Sequence, residues 1–515
     1  MAVVSTIPNL KKRIVRNNGI AFIIIVFLSV CSSFVYLSFD VTDASLYSIS
    51  SYTKQVLHRL PEGIVASYYV SSNLENISSV PAEIRDILME YQRFSYGRLM
   101  MQIAPLDNAT DLSMIERLGI QPQQIDLSDS VRSDSQMVFS GLVISYQERQ
   151  EVIPLVFNSL VFEYEFTTAL QRLITGKKPE IAVVFGNNDF SLSTTHQYAH
   201  QELRQQFSVT EYTRGQSIPS TIDAVFLIGA KDLRRSDIVL IDNYLVQGGS
   251  VLVAASAVHV DIQQNLAEFV LPESHPFLEW LDYHGVRLRR ALVLDRECNP
   301  ILVQNVSEGI EYQEMVPYPH WIHISGNAGN PMQLLTERFA GLDVYWTSPI
   351  RLVPAQDRTI SPLLHTGASS WILENDLAID PHRAGESRQQ TGDFDGNYIV
   401  AGLVEGVFHS WSSFHSEPGT SRLLVVGDED WTSDLMNYSN AWYNLAFLHS
   451  IADWFVFDSD LLAIRNKTLR DTRLHRIENQ DIFRMRALAV QFFHIVLLPL
   501  GILVFGFLYS RKARK

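Results

Sequence analysis

The chain has 515 residues, of which 46% are hydrophobic and 19% charged, proportions typical of folded domains with substantial cores. A formal net charge of −15 argues against nucleic-acid binding, and two cysteines are too few for a disulfide framework. The absence of internal repeats and of low-complexity tracts in the sequence excludes a solenoid and a long disordered arm.

Two uncharged apolar segments predict membrane-spanning helices. They are residues 19–39 and residues 487–509, and each can cross a hydrocarbon core of about 30 Å at about 1.5 Å per residue. A cleaved signal peptide is the alternative for 19–39. That alternative is disfavoured because the apolar run is long and no small-residue cleavage site leads into polar sequence.

Cations flank both segments and predict their orientation. Four lie in 1–18 and four in 510–515, so the positive-inside rule predicts that both termini are cytoplasmic. The bulk of the chain is then extracytoplasmic. When these eight cations are set aside, the region between the segments carries a charge of −23, which argues against its lying on an anionic lipid surface.

Residues 40–61 predict a short helix next to the membrane. Tyr52, Val56, Leu57 and Leu60 have helical spacing, Ser50 or Ser51 can cap the first free amides, and Pro61 suits the end. This helix would couple the first membrane segment to the folded domain, and a simple linker helix is an equally good interpretation.

Residues 62–176 predict a thioredoxin-like α/β domain. The order of elements is strand, helix, strand, helix, strand pair and helix, with Gly176 as a left-handed end of the last helix. The domain would be inactive in redox chemistry because it lacks a CxxC motif. Cys298 is the one cysteine outside the predicted membrane segments.

Residues 177–465 predict a doubly wound, amidotransferase-like sheet with a β-rich insertion. Between 178 and 295 four continuous apolar runs are typical of buried parallel strands. Strands and an exposed loop at 380–397 are expected within 296–420, and residues 466–486 would connect to the second membrane segment. The apolar runs are "EIAVVFG", "DAVFLIGA", "SVLVAAS" and "ALVLD".

Complete catalytic motifs are absent from the sequence. It contains no GxxxxGK[ST] phosphate loop, no GxGxxG at a strand-to-helix turn and no GxSxG nucleophile elbow. His196 and His200 have a metal-capable spacing without an HExxH glutamate, and we favour a solvated helix face for them. We therefore expect no enzyme activity, no catalytic or metal-binding residue, and no cofactor.

The ends of two predicted strands are the best candidate ligand or partner contacts, because ligands commonly bind at the carboxyl ends of parallel strands. Capping of the following turns is the alternative, and paired carboxylates would also permit acid–base or metal chemistry. The six candidates are Asn187, Asn188, Asp189, Asp428, Glu429 and Asp430.

Several segments, in a shared order, resemble GldG-type auxiliary components of ABC transporters, a gliding-motility-associated family. Where that family often has Asp-Pro after a Gly-Gly turn, this chain has "VAASAVHV". The matching pieces are "DVTDASLYSISSYTKQVLHRLP", "VASYYVS", "FEYEFTTALQRLITGKKPEIAVVFG", "IDNYLVQGGSVLVAAS", "FLEWLDYHGVRLRRALVLD", "VPYPHW", "VVGDEDWTSD", "NLAFLHSIADW" and "LLAIRNK".

The resemblance implies a non-enzymatic partner of an ABC permease and its ATP-binding subunit. It would be a two-pass protein of the bacterial cytoplasmic membrane with its bulk in the periplasm. His494, Gly501 and Gly506 are candidate permease contacts, with lipid-facing positions as the alternative. A membrane-anchored ligand-binding receptor and an envelope hydrolase using 428–430 are the other hypotheses.

Overall fold

The computed structural model describes residues 49–468, except 107–113, 130–131, 262–265, 308–309, 338, 356, 376, 378, 382–395 and 413–417. Both predicted membrane segments, 19–39 and 487–509, lie outside these residues, as do His494, Gly501 and Gly506. Within the described part of the chain, no helix combines the length and the apolar character needed to cross a bilayer.

Helix α1 (Ser51–His58) forms where the sequence predicts a helix after the first apolar segment. The Ser50 hydroxyl accepts a hydrogen bond from the Thr53 amide at 3.0 Å, which satisfies one of the free donors at the helix start. Thr53 and Leu57 are buried, so one face of the helix packs on the domain that follows.

The first α/β part is built on a five-stranded sheet with the order β2-β1-β4-β3, and β5 also pairs with β4. Strand β1 is parallel to β2 and antiparallel to β4. Alternate residues of β1 are buried against the helices, as expected for a sheet with one covered face. Its elements are β1 (Ile64–Ser71), α2 (Val80–Phe94), β2 (Leu99–Leu106), β3 (Pro122–Asp129), β4 (Arg132–Tyr146), β5 (Arg149–Ile153) and α3 (Ser159–Thr175).

Two details of this part bear on the sequence predictions. Helix α3 ends at Gly176 with φ of 73°, the left-handed conformation predicted there. Strand β3 was not predicted, because "PQQIDLSD" lacks the alternation of apolar and polar residues that identifies a half-buried strand. It pairs along β4 as a long hairpin.

The second α/β part is larger and includes an insertion of short sheets. It begins with β6 (Glu180–Phe185), α4 (Gln197–Arg204), β7 (Ser208–Tyr212), β8 (Ala224–Ile228), α5 (Arg235–Val246) and β9 (Ser250–Ala254). The chain continues through β10 (Val258–Asp261), β11 (Leu266–Phe269), α6 (Pro276–Tyr283), β12 (Val286–Leu288), β13 (Leu292–Leu294), β14 (Cys298–Ser307), β15 (Ile310–Ser325), β16 (Gly341–Tyr345) and β17 (Ile350–Leu352). It ends with β18 (Arg358–His365), β19 (Trp371–Leu373), β20 (Ile399–Val407), β21 (Thr420–Val426), α7 (Met436–Ser439) and α8 (Tyr443–Thr468).

A seven-stranded sheet with the order β18-β20-β21-β9-β8-β6-β7 organises this part. The five strands from β21 to β7 are parallel, and β20 and β18 continue the sheet in antiparallel pairs. Ile181, Val183 and Phe185 of β6 pack on one face with α4 and α8. Ala182 and Val184 pack on the opposite face with α5 and α6, so the sheet is covered on both sides.

One predicted strand occupies a different place. The run "ALVLD" was expected in the parallel sheet, but β13 pairs with β19 in a separate two-stranded sheet. The position beside β9 is taken by β21, which begins more than 120 residues after the end of β13. An apolar run indicates burial on both faces, and it does not specify which strand becomes its neighbour.

Helices α3 and α8 join the two parts through a buried polar cluster. The Tyr164 hydroxyl of α3 donates to Asp453 Oδ2 of α8 at 2.6 Å, and Arg465 donates to the same oxygen at 2.8 Å. Leu461 and Ile464 pack around Tyr164. Asp453 is fully buried, so its charge is compensated by Tyr164 of α3 and by Arg465 near the C-terminal end of α8.

We predict that Arg465→Met lowers the free energy of unfolding by about 3 kcal/mol, because it leaves the Asp453 carboxylate buried without its cation. Denaturant unfolding of the detergent-purified full chain measures the change. The additional change Asp453→Asn is expected to restore part of the loss.

The matched control is Arg289→Met, which removes the solvent-exposed partner of Glu374 and is expected to leave the unfolding midpoint unchanged. Equal midpoints for Arg465→Met and the wild type would contradict the structural importance of the buried pair.

Candidate functional site

The carboxyl ends of four parallel strands form a continuous polar edge. Backbone hydrogen bonds run from Gly186 N to Ile228 O at 2.8 Å, and from Gly229 N to Ala254 O at 2.8 Å. The last joins Ala255 N to Val426 O at 3.1 Å. Residues 187–189 follow β6 and residues 428–430 follow β21, so both predicted groups lie on this edge.

Asn187 is buried beneath the first turn of this edge. Its Oδ1 accepts from the Lys231 amide at 3.0 Å, which ties the β6 turn to the β8 turn. A Cβ on Gly229, where φ is 77°, would lie 2.5 Å from Asn187 Oδ1, so only glycine fits. Asn187 Nδ2 has no hydrogen-bond partner among the described residues.

Asn188 and Asp189 lie at the surface of the same edge. The Asn188 amide donates to Asp232 Oδ2 at 2.8 Å, and its side-chain oxygen accepts from Arg214. Asp189 is exposed and acts electrostatically on both His259 and Asp430. The structure therefore brings the two predicted groups into electrostatic contact, which sequence spacing could not show.

Asp428 is fully buried and its carboxyl group binds backbone. Oδ2 accepts from the Tyr345 amide at the end of β16 at 2.6 Å, and Oδ1 accepts from the Asp430 amide at 2.7 Å. Burial and the nearby Asp430 carboxyl raise the pKa of Asp428 well above its usual range. Asp428 thus fastens the insertion to the sheet, in addition to the turn capping that the sequence suggested.

Glu429 pairs with a histidine that sequence reasoning missed. His259 Nδ1 lies 3.0 Å from Glu429 Oε1, and this hydrogen bond raises the pKa of His259. Glu429 is buried, and its Oε2 has no partner within the described residues. His259 lies on β10, 170 positions from Glu429, and no motif or spacing marks the pairing.

Asp430 is partly buried and lines a cleft of about 450 Å³. Its burial and the Glu429 carboxyl raise the pKa of Asp430 to about 8, although His259 opposes the change. Residues 190–201 and 430–438 contribute the cleft walls. Of the six predicted residues, Asp430 is the one in the cleft lining.

The paired histidines do not form a solvated face, so that prediction was wrong for His196. Its ring is buried with its centroid 5.1 Å from that of Phe185 and 5.3 Å from that of Phe190. Burial lowers the pKa of His196 to about 3. Within the described residues, no group of three His, Cys, Asp or Glu side chains is arranged to hold a metal ion.

Cys298 lies at the start of β14 and is partly buried. Burial and the nearby Asp295 carboxylate raise the pKa of the Cys298 thiol to about 11. The thiolate form that a nucleophile requires is therefore rare at neutral pH.

These features define an α/β scaffold with a polar edge at the carboxyl ends of its parallel strands. Residues 178–450 match the family described as "ABC-type uncharacterized transport system". The chain belongs to this family of ABC transport auxiliary proteins. Residues 43–145 separately match "Domain of unknown function (DUF7088)".

Comparison with other proteins gives one relative along nearly the whole chain. A Borreliella burgdorferi protein named "Uncharacterized protein" is 22% identical over 505 residues, which cover 95% of this chain and 96% of that protein. Its name assigns no substrate or partner.

Two beta-galactosidase structures show a low level of similarity to this chain. Gan42B, a GH42 beta-galactosidase, has a TM-score of 0.21 and 10% identity over 54% of this chain and 32% of its own. The beta-galactosidase of Rahnella sp. R3 has a TM-score of 0.22 and 10% identity, over 56% of this chain and 35% of its own. This chain thus spans about a third of the length of either enzyme, and similarity at this level supports no conclusion about fold or activity.

We predict that Asp430 makes the protein less stable as pH rises from about 5 to about 8, by up to ~1.4 kcal/mol per pH unit. In this window the folded state keeps a proton on Asp430, whereas the unfolded state, with an ordinary pKa of 3.8, has released it. Asp430→Asn, which mimics the protonated form, is expected to reduce the slope and to exceed wild-type stability at the alkaline end. Denaturant unfolding across this pH range measures the effect.

The control is Asp282→Asn at an exposed carboxylate, which is expected to retain the wild-type pH dependence. A wild-type slope in Asp430→Asn would show that this carboxyl group is ionised throughout the range.

Proposed function

We propose that the chain is a non-catalytic, membrane-anchored auxiliary subunit of an ABC transporter, of the GldG type. Its segments 19–39 and 487–509 would contact the permease, while 40–486 would lie outside the cytoplasmic membrane and bind a substrate or partner protein. The ATP-binding subunit would be a separate chain. The observation that carries the proposal is the family match over 178–450.

The positions of the first and last described helices support anchoring at both ends. Helix α1 packs on α3 through a hydrogen bond between the Thr53 and Thr167 hydroxyl groups at 3.0 Å. Helix α8 packs on α3 through Tyr164 and Asp453. The chain therefore enters and leaves the described region against a single helix, an arrangement compatible with two anchors in one membrane.

The chemistry of the polar edge supports a non-catalytic role. An acid–base or hydrolytic mechanism on 428–430 needs carboxyl groups available to a substrate. Both oxygens of Asp428 accept backbone hydrogen bonds, and Glu429 pairs with His259. These interactions leave Asp430 as the one carboxyl group of the three in the cleft lining, which disfavours an envelope hydrolase that uses paired carboxylates.

The strand orders support the fold assignments within this proposal. In the first part, β2-β1-β4 with β5 on β4 and β4 antiparallel to β1 is consistent with a thioredoxin-like domain. In the second part, the parallel strands have the order β7-β6-β8-β9-β21, which is that of a doubly wound sheet. The chain adds β7 on one side of β6 and the later strands on the other side, so the order of strand addition reverses between β6 and β8. An amidotransferase-like ancestry is part of the same proposal.

We predict that the tagged full-length chain, purified in mild detergent, brings down an ABC permease and an ATP-binding subunit. Mass spectrometry identifies the bound proteins. Replacing 487–509 with polyleucine of equal length is expected to keep the chain in the membrane and to lose the permease, because small residues allow close helix packing.

A finer comparison uses the double variant Gly501→Leu and Gly506→Leu, which is expected to weaken recovery of the permease. Its matched control is Ala487→Leu with Ala489→Leu in the same segment, which also introduces two leucines but leaves both glycines in place. Recovery of the wild-type chain without any transporter subunit would reject the proposed function.

We predict that a cysteine at position 332 is modified from outside intact cells, whereas one at position 512 is modified only after permeabilisation. Met332 is 88% exposed, so Met332→Cys gives a reactive probe on the folded part. Lys512→Cys reports the C-terminal tail. Both changes are made in a chain whose two native cysteines are serine, and a membrane-impermeant maleimide provides the label. Labelling of position 512 in intact cells would exclude the two-pass orientation.

A further inference from the structure

The cleft next to the polar edge has walls that the protein itself fixes in position. One wall follows β6 and includes the start of α4, and the other follows β21. The Asp434 amide donates to Thr195 O at 2.8 Å, and Asp434 Oδ1 accepts from the Tyr198 amide at 3.1 Å. At about 450 Å³, the cleft lies within the range of small-molecule sites, about 300–1,000 Å³.

The lining of the cleft combines aromatic rings with side-chain amides. Phe190, Tyr198 and Tyr438 supply the rings, and the Tyr198 ring is held edge-on by Trp442 at 5.1 Å between centroids. Gln197, Gln201 and Asn437 are exposed amides that can both donate and accept hydrogen bonds. Aromatic faces pack against C–H groups, while amides suit hydroxyl groups.

The charged residues of the cleft lining further restrict the class of ligand. Among the described residues that line the cleft, none is a lysine or an arginine, so these residues offer no counter-ion to a phosphate or carboxylate. Its acidic groups are Asp430 and Asp434, and the Asp434 carboxylate already accepts from the Tyr198 amide. The raised pKa of Asp430 favours the neutral form of that group, which reduces the attraction for a cation.

We propose that this cleft binds a neutral sugar of one or two rings, whose apolar ring face packs on Tyr198 and Tyr438 and whose hydroxyl groups bond to Gln201 and Asn437. The binding is a property of this chain alone. Whether sugar binding is the recognition step of a transporter rests on the proposed function. In that case a neutral sugar is the class of substrate.

Isothermal titration calorimetry of the full-length chain tests the site, in a detergent without a sugar headgroup. The neutral probes are glucose, galactose, N-acetylglucosamine and maltose. Glucose 6-phosphate and glucosamine are the charged counterparts. We expect saturable binding of at least one neutral probe and weaker binding of both charged sugars.

Variants at exposed positions then locate the binding. Tyr438 is 74% exposed, so Tyr438→Ala is expected to fold normally and to weaken sugar binding by about tenfold or more. Asn437→Ala is expected to act in the same direction. The matched control is Tyr96→Ala, at a tyrosine in the first α/β part that is 70% exposed, and it is expected to bind as the wild type does.

Three outcomes would overturn the sugar site: no neutral probe binds saturably, a charged counterpart binds more tightly, or Tyr438→Ala and Asn437→Ala bind as the wild type does. The pull-down separates this failure from that of the proposed function. Recovery of permease and ATP-binding subunit without sugar binding rejects the site alone, whereas sugar binding without transporter subunits rejects the auxiliary role alone.

Discussion

The buried contact between Asp453, Arg465 and Tyr164 joins the two α/β parts of the described structure. A carboxylate taken out of water is stable in a protein only when charges and donors compensate for its lost hydration. Here the compensating groups are Tyr164 of α3 in the first α/β part and Arg465 of α8 in the second. The relative placement of the two parts is therefore coupled to a single fully buried side chain.

The polar edge of the large sheet illustrates a second use of buried carboxyl groups. Asp428 gives both oxygens to backbone amides, and one of these amides belongs to β16 of the insertion. Glu429 similarly pairs with His259 of β10. The acidic sequence that most suggests catalysis thus fastens inserted strands to the sheet, and Asp430 is the member left beside the cleft. This division is consistent with membership of a transport auxiliary family.

Local signals in the sequence identified those features whose physical cause is also local. The Ser50 cap, the left-handed Gly176 and the apolar runs of β6, β8 and β9 all act within a few residues. Strand β3 escaped prediction because it lacks alternation, and its neighbour β4 supplies the pairing. His196 was misjudged because its ring is buried between Phe185 and Phe190.

The sequence by itself determined the acidic composition, the two apolar segments, most of the strands and helices, and the two polar groups that end β6 and β21. Tertiary structure alone decided that β21 lies beside β9, that β13 pairs with β19, and that His259 meets Glu429. These contacts join residues far apart along the chain. Their partners are selected by packing over the whole molecule, and no local pattern of residues encodes that selection.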